Sequence, residues 1–185
     1  HSGSPAMYNY SFQKLGLDYV YLAFDIKEED TSKAINALRL LNVKGFNITM
    51  PGKTAALSCC DELSKAAQLI GAVNTVVNEN GKLIGHNTDG LGWVRNCREH
   101  GFEIRGKKMT IAGSGGAATA IEITSALEGM SEISIFARKD TFFANAEATV
   151  EKIRRHVSGC RVNLYDLEDR DLFYHEIEDS HIFTN

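Results

Sequence analysis

Lys53 stands two residues after Pro51, in the run FNITMPGKTAAL over residues 46–57. An apolar stretch ends at Pro51-Gly52, and a helix-like pattern follows at once. This places Lys53 at or beside the first turn of a helix. The N–H groups there make that end positive, so a lysine costs roughly a few tenths of a kcal/mol where an aspartate would help. Proton transfer explains such a placement. A general base works best with a pKa near the operating pH, and a free lysine sits near ~10.4. Partial burial and a helix N-terminus both disfavour a charged amine and favour a basic one. A neighbouring carboxylate acts the other way, yet it orients the amine and helps hold the proton in transit. Asp89 lies in HNTDGLG over 86–92. It also opens a helix-like run, where it or Thr88 would serve as an N-cap. Without further motifs, Lys53 reads as a solvated surface lysine.

A second constellation lies in MTIAGSGGAATA, residues 109–120. Gly113-x-Gly115-x-x-Ala118 follows a strand-like run and opens a helix-like one. Gly113 permits the tight turn, Gly115 lets the backbone approach a pyrophosphate, and Ala118 allows close helix–strand packing. The helix N-terminus supplies N–H donors for the anion. A lone pattern of this kind is weak, because glycine also serves plain turns. Its strand–turn–helix setting and the further β-α units make it a dinucleotide signal. The next strand-like run ends IFARKD, residues 135–140. Its tip would meet the adenosine ribose, where an acidic residue holds the 2′-OH of NAD and a basic one the 2′-phosphate of NADP. Arg138 and Lys139 offer one choice and Asp140 the other, so the preference between NAD and NADP stays open. Asp140 also suits a helix cap.

These residues need elements to hold them. LDYVYLAFDI (17–26) is rich in β-branched and aromatic residues and predicts a strand. TSKAINALRLL (31–41) predicts a helix, VKGFNIT (43–49) a strand, and KTAALSCC (53–60) and LSKAAQLIG (63–71) helices. AVNTVVNENGKLIGHN (72–87) predicts a hairpin turning at Asn80-Gly81, and DGLGWVRNCREHG (89–101) a helix. From residue 107 on, strands and crossover helices alternate, which implies parallel β-α-β units, doubly wound. The expected architecture is therefore α/β in two domains. The pattern changes character near the helix starting at Asp89, which divides residues 1–88 from a doubly wound, Rossmann-type unit with its linking helix over residues 89–185. Trp93 and the pair Phe142-Phe143 read as packing, and His86 as structural.

Bulk properties narrow the classes. The chain has 185 residues, a formal net charge of -4, 43% apolar and 24% charged residues. An acidic chain of this kind does not look like a nucleic-acid binder. No apolar run approaches a bilayer span. Cys59, Cys60, Cys97 and Cys160 form no C-x-x-C pair, which suits a reduced, cytoplasmic setting better than a disulfide framework or a zinc site. The six histidines show no metal-ligand spacing, so no metal is expected. The opening HSGSP has no initiator methionine and HIFTN ends on an apolar run, so the chain reads as a fragment.

HSGSP, NITMPGK, GAVNT, HNTDGLG and GSGGAATA, in that order, resemble the shikimate dehydrogenase family. IFARKD and the following TFF look closer to its quinate/shikimate branch. Ala137 stands where the strictly NADP-dependent branch typically has asparagine. The resemblance implies a substrate-binding and catalytic domain with a mixed sheet, residues 1–88, and a Rossmann cofactor domain, residues 89–185, with the active site in the cleft between them. It also implies a strand before HSGSP, and a glutamine and a helix after FTN, that this chain does not contain. Carried over residue by residue, Ser2 and Ser4 would bind the substrate carboxylate. Thr49, Asn74 and Asp89 would line the ring hydroxyls. Lys53 and Asp89 would be the catalytic pair. Gly113, Ser114, Gly115, Gly116 and Ala117 would cradle the pyrophosphate of NADP or NAD, with Ala137, Arg138, Lys139 and Asp140 at the ribose.

The implied function is an NAD(P)-dependent dehydrogenase acting on shikimate or quinate, as a monomer or homodimer. From the residues alone, Ser2 and Ser4 flanking Pro5 would equally start a helix. A sensor that binds the acid or the nucleotide without turnover is the competing class. It would tolerate loss of Lys53 and Asp89, and both are present. A methylene-tetrahydrofolate dehydrogenase would share the architecture, but HSGSP with GAVNT argues against it.

Overall fold

The computed structural model describes residues 2–140 and 143–185. The first half opens with α1 (Ser4–Lys14), which carries Pro5 in its first two positions, and α2 (Thr31–Leu40). It then builds a four-stranded mixed sheet from β1 (Gly45–Asn47), β2 (Glu62–Leu63), β3 (Thr75–Glu79) and β4 (Lys82–His86), in the order β1-β3-β4-β2. The β3–β4 hairpin turns where expected. Asn80 and Gly81 have φ of 55° and 95°, the double positive φ of the turn that matches strand twist. Between β2 and β3, α3 (Lys65–Ile70) is capped by the Ser64 hydroxyl, which accepts from the N–H of Ala67, and closed by left-handed Gly71.

α4 (Asp89–Glu99) leads into the second half. There β5 (Lys108–Ala112), α5 (Gly116–Leu127), β6 (Glu132–Ala137), α6 (Phe143–His156), β7 (Arg161–Asp166), α7 (Arg170–Glu178) and β8 (Ile182–Thr184) alternate. Every strand pair is parallel, in the order β7-β6-β5-β8. This is the order of a Rossmann half with its crevice at the strand C-termini. A buried cation fixes the opposite end: the Lys108 Nζ lies 2.6 Å from Asp179 and 2.9 Å from Glu176, which docks α7.

Each sheet has its own core. Ile35, Ala56, Ala67, Val73, Val76 and Leu83 fill the first. The second contains Ile111, Ile123, Ile133 and Ile135, but also Leu69 and Ile70 from α3. α5 is thus covered by the first half as well as by its own sheet, which explains why Thr124 and Ser125 are buried along with Ile123. Trp93 and Phe143 pack against this core as anticipated; Phe142 lies outside the described residues.

Two predicted elements form differently. Residues 17–26 are not a strand. A strand needs neighbours for its backbone groups. Here the N–H and C=O of Tyr21 are taken by the Asn9 amide, at 2.7 and 3.0 Å, and Tyr21 stacks on Tyr8 with ring centroids 4.6 Å apart. The segment is held by side chains of α1 and exposes Val20, Leu22 and Phe24. Residues 53–60 form no α-helix. Only a 3-10 segment, Ala55–Cys59, appears, and Lys53 lies in the turn before it. Five 3-10 residues carry little macrodipole, so a helix field does not explain the lysine.

Candidate active site

Lys53 finds its explanation in a side chain instead. Its Nζ lies 2.7 Å from Asp89 Oδ2, in a pair whose side chains are 21% and 39% exposed. The Pro51-Gly52 turn brings it there. Gly52 is buried, and a Cβ on it would stand 3.1 Å from the Thr31 hydroxyl at the start of α2. The Lys53 carbonyl accepts from the N–H of Val73, which ties this turn to Asn74, the residue before β3.

Asp89 does not cap α4. Its N–H donates to Asn87 Oδ1, and the Thr88 side chain makes no cap bond to the helix. The carboxylate instead faces sideways. Oδ2 takes Lys53, and Oδ1 accepts from Asn74 Nδ2 at 2.8 Å. Asn74 is buried, and its own oxygen accepts from the Thr88 N–H at 3.0 Å and the Thr75 hydroxyl at 3.0 Å. The chain of bonds continues outward: Asn47 Nδ2 donates to Thr75 Oγ1 at 3.1 Å, and the Tyr21 hydroxyl donates to Asn47 Oδ1 at 3.1 Å. Every donor in the series Tyr21, Asn47, Thr75, Asn74 points toward the Asp89 carboxylate. Such a chain polarises cumulatively and fixes an anion at its end. Burial, with Tyr8 adding to it, pushes the Tyr21 phenol up, so it serves as a donor here.

Ser2 and Ser4 sit at the start of α1, where the Ser4 N–H donates to Ser2 Oγ at 3.2 Å. The Ser4 side chain, at that helix start, opposes part of the rise at the Tyr21 phenol. Thr49 is exposed beyond β1; its carbonyl accepts from the Gly52 N–H. Sequence reasoning missed Tyr21, Asn47, Thr75 and Thr88. Asn47 lies inside the quoted NITMPGK run, but its link to Thr75 depends on a β1–β3 register that only pairing shows.

The second constellation is a turn open on one side. Gly113 has φ of 142° and its N–H donates to the Phe136 carbonyl. Gly115, with no side-chain cap bond, begins α5. Cβ atoms on Gly115 or Gly116 would meet nothing within 4 Å. Ser114 is half-buried, and Gly115, Gly116 and Ala117 are exposed. Free N–H groups at a helix start with bare backbone before them fit a pyrophosphate. At the β6 tip, Ala137 is buried, while Arg138, Lys139 and Asp140 are exposed. Lys139 pairs with Asp166 at 3.2 Å. The Glu168 N–H, with Lys139 beside it, holds Asp166 below the usual carboxylate range. Arg138 and Arg170 line one recess of about 440 Å³ together with Leu167 and Glu168. Neither arginine forms an ion pair among the described residues.

Residues 1–76 match the model of the shikimate dehydrogenase substrate-binding domain. Over all 185 residues the chain is 54% identical to the shikimate dehydrogenase (NADP(+)) of Listeria innocua and covers 63% of that protein. Along its whole length the chain is thus similar to shikimate dehydrogenases. The enzyme of the same name from Streptococcus uberis is 48% identical, again with all of this chain and 63% of the relative covered. A crystal structure of shikimate 5-dehydrogenase from Listeria monocytogenes, in complex with shikimate and NAD, superposes with a TM-score of 0.97 at 54% identity. That match covers all of this chain and 64% of that one. The family's architecture also extends to a 5-ketofructose reductase from Gluconobacter, with a TM-score of 0.79 at 34% identity over 88% of this chain and 58% of that one. The two-domain α/β reading is thus shared with these neighbours. The chain spans less than two thirds of the length of the relatives it matches.

Proposed function

We propose that this chain carries the catalytic pair and the nucleotide cradle of an NADP-preferring dehydrogenase that oxidises a ring hydroxyl of shikimate. The observation that carries the reading is the Lys53–Asp89 contact of 2.7 Å, backed by Asn74 at 2.8 Å. Oxidising a secondary alcohol removes a hydride from carbon and a proton from oxygen. When bound, the oxidised nicotinamide supplies the hydride acceptor. Lys53 takes the hydroxyl proton, and Asp89 orients the amine and stabilises the ammonium that forms. Asn74 holds Asp89, and with Thr49 it borders the ring hydroxyls. Ser2 and Ser4 offer hydroxyl and N–H donors for the ring carboxylate at the start of α1. A sensor has no need of such a pair.

The domain boundary we place at residues 88/89, where the first sheet's hairpin has closed and α4 begins. Gly113 to Ala117 hold the pyrophosphate. Arg138 and Arg170 favour a 2′-phosphate in their shared recess, since planar guanidinium groups bind phosphate well. The relatives named for NADP(+) support this preference, and the NAD found in the Listeria monocytogenes crystal supports some use of the unphosphorylated cofactor. Steady-state assays of shikimate and quinate, each with NADP and NAD, test the proposal. The highest kcat/KM is expected for shikimate with NADP. Absence of turnover in all four combinations would remove the dehydrogenase reading.

A further inference from the structure

Asp89 and the glycine turn lie on different elements, and the spacing between them sets where a ring hydroxyl meets the cofactor. Asp89 opens α4, and the turn leads into α5. The two helices cross at Gly90, directly after Asp89. A Cβ on Gly90 would stand 2.1 Å from the carbonyl oxygen of Ala120, 2.3 Å from Thr124 Oγ1 and 2.6 Å from Thr124 Cβ. The first of these is backbone and cannot rotate away. Gly90 is buried inside a helix, so its bare Cα supplies space rather than an unusual φ. Gly92, on the same helix, is exposed, and a Cβ there meets nothing within 4 Å. The two glycines of one motif therefore have different jobs.

We propose that Gly90 is a positioning residue: the close α4–α5 crossing it permits sets the distance between Asp89 and the Gly113–Ala117 cradle. This rests on the dehydrogenase reading. An ordinary carbon–oxygen contact is about 3.3–3.6 Å, so a methyl group at Gly90 drives the helices apart by roughly 1 Å. Displacement on that scale costs about 10²-fold in rate when two reactants must meet in near-attack geometry. Each ligand still finds its own contacts, so binding survives while transfer fails.

The test compares Gly90→Ala with Gly92→Ala in the purified protein. Three readouts are kcat, the Kd of shikimate and NADP separately, and the emission of Trp93. Trp93 is the chain's single tryptophan, lies on α4 and packs against the second core. Gly90→Ala is expected to lower kcat by about 10–10²-fold, with both Kd values within about three-fold, and to shift Trp93 emission. Gly92→Ala should leave all three readouts as in the parent. An unchanged kcat in folded Gly90→Ala, or loss of NADP binding equal to the loss of kcat, overturns the proposal. If Gly90→Ala does not accumulate folded, Thr124→Ile pushes the same contact more gently from the α5 side. It must give the same split between kcat and Kd, and a parental kcat there overturns the proposal too. Parent protein without turnover sinks the dehydrogenase reading instead, and the Trp93 shift then still decides whether Gly90 sets the helix spacing.

Discussion

Lys53 looked misplaced as a cation at a helix start, and the structure moves the cause from a backbone field to a side chain. The amine meets Asp89 at 2.7 Å, and Asp89 is itself held by Asn74. Motif order made Lys53, Asp89 and Asn74 legible in the sequence, since each sits in a short run of distinctive spacing. Tyr21, Asn47 and Thr75 were not legible as a relay, because their contacts cross 26 and 28 residues, the second through the β1–β3 pairing. Asn74 offers the first test at this scale. Asn74→Ala frees one oxygen of Asp89 and strips the Thr88 N–H of its acceptor. It should lower kcat by about 10-fold or more through misorientation, and cost roughly 1 kcal/mol of stability for the hydrogen bonds lost. Steady-state kinetics and urea unfolding read the two effects separately. An unchanged kcat would remove Asn74 from the positioning of Asp89.

Among the elements, α5 carries the strongest internal conflict. Glu122 is fully buried on it, and neither carboxylate oxygen has a hydrogen-bond partner among the described residues. Burial pushes this carboxyl up from 4.5 to about 8. The unfolded chain loses the proton above about 4.5, while the folded chain keeps it to about 8, so folding takes up a proton between them. Stability therefore falls as pH rises through that window. Glu122→Gln should flatten the slope, with little gain at pH 5 and a gain of roughly 4–5 kcal/mol by pH 8.5. Thermal unfolding at the two pH values checks this, and equal slopes in parent and variant would refute it. The helix itself was easy to foresee, because a strand and a glycine turn precede it. The burial of its outer face was not, since that depends on Leu69 and Ile70 arriving from α3. The segment 17–26 shows the converse. Its composition favours a strand, but a strand is a property of pairs, and Asn9 takes the Tyr21 backbone groups that a neighbour would need.

On the scale of the whole molecule, two sheets with separate cores meet through α3, α4 and α5, and the proposed chemistry lies where they meet. In the proposed reading the first supplies Lys53, the linking helix α4 supplies Asp89, and the second supplies the nucleotide cradle. Cofactor choice belongs to this scale, because the recess proposed for the ribose phosphate is shared by the tips of β6 and β7 and the start of α7. Arg170→Gln should raise the KM for NADP about 10-fold while leaving that for NAD unchanged, the loss expected for one charge-assisted hydrogen bond. Equal changes with both cofactors would assign Arg170 to the adenosine rather than to its phosphate. The central claim is that Lys53 moves the hydroxyl proton as the ring carbon is oxidised. Lys53→Ala tests it most directly, by kcat for shikimate oxidation measured beside the Kd of shikimate. The account predicts that kcat falls by about 10²–10⁴-fold while Kd changes less than about five-fold. A kcat equal to that of the parent protein would contradict it.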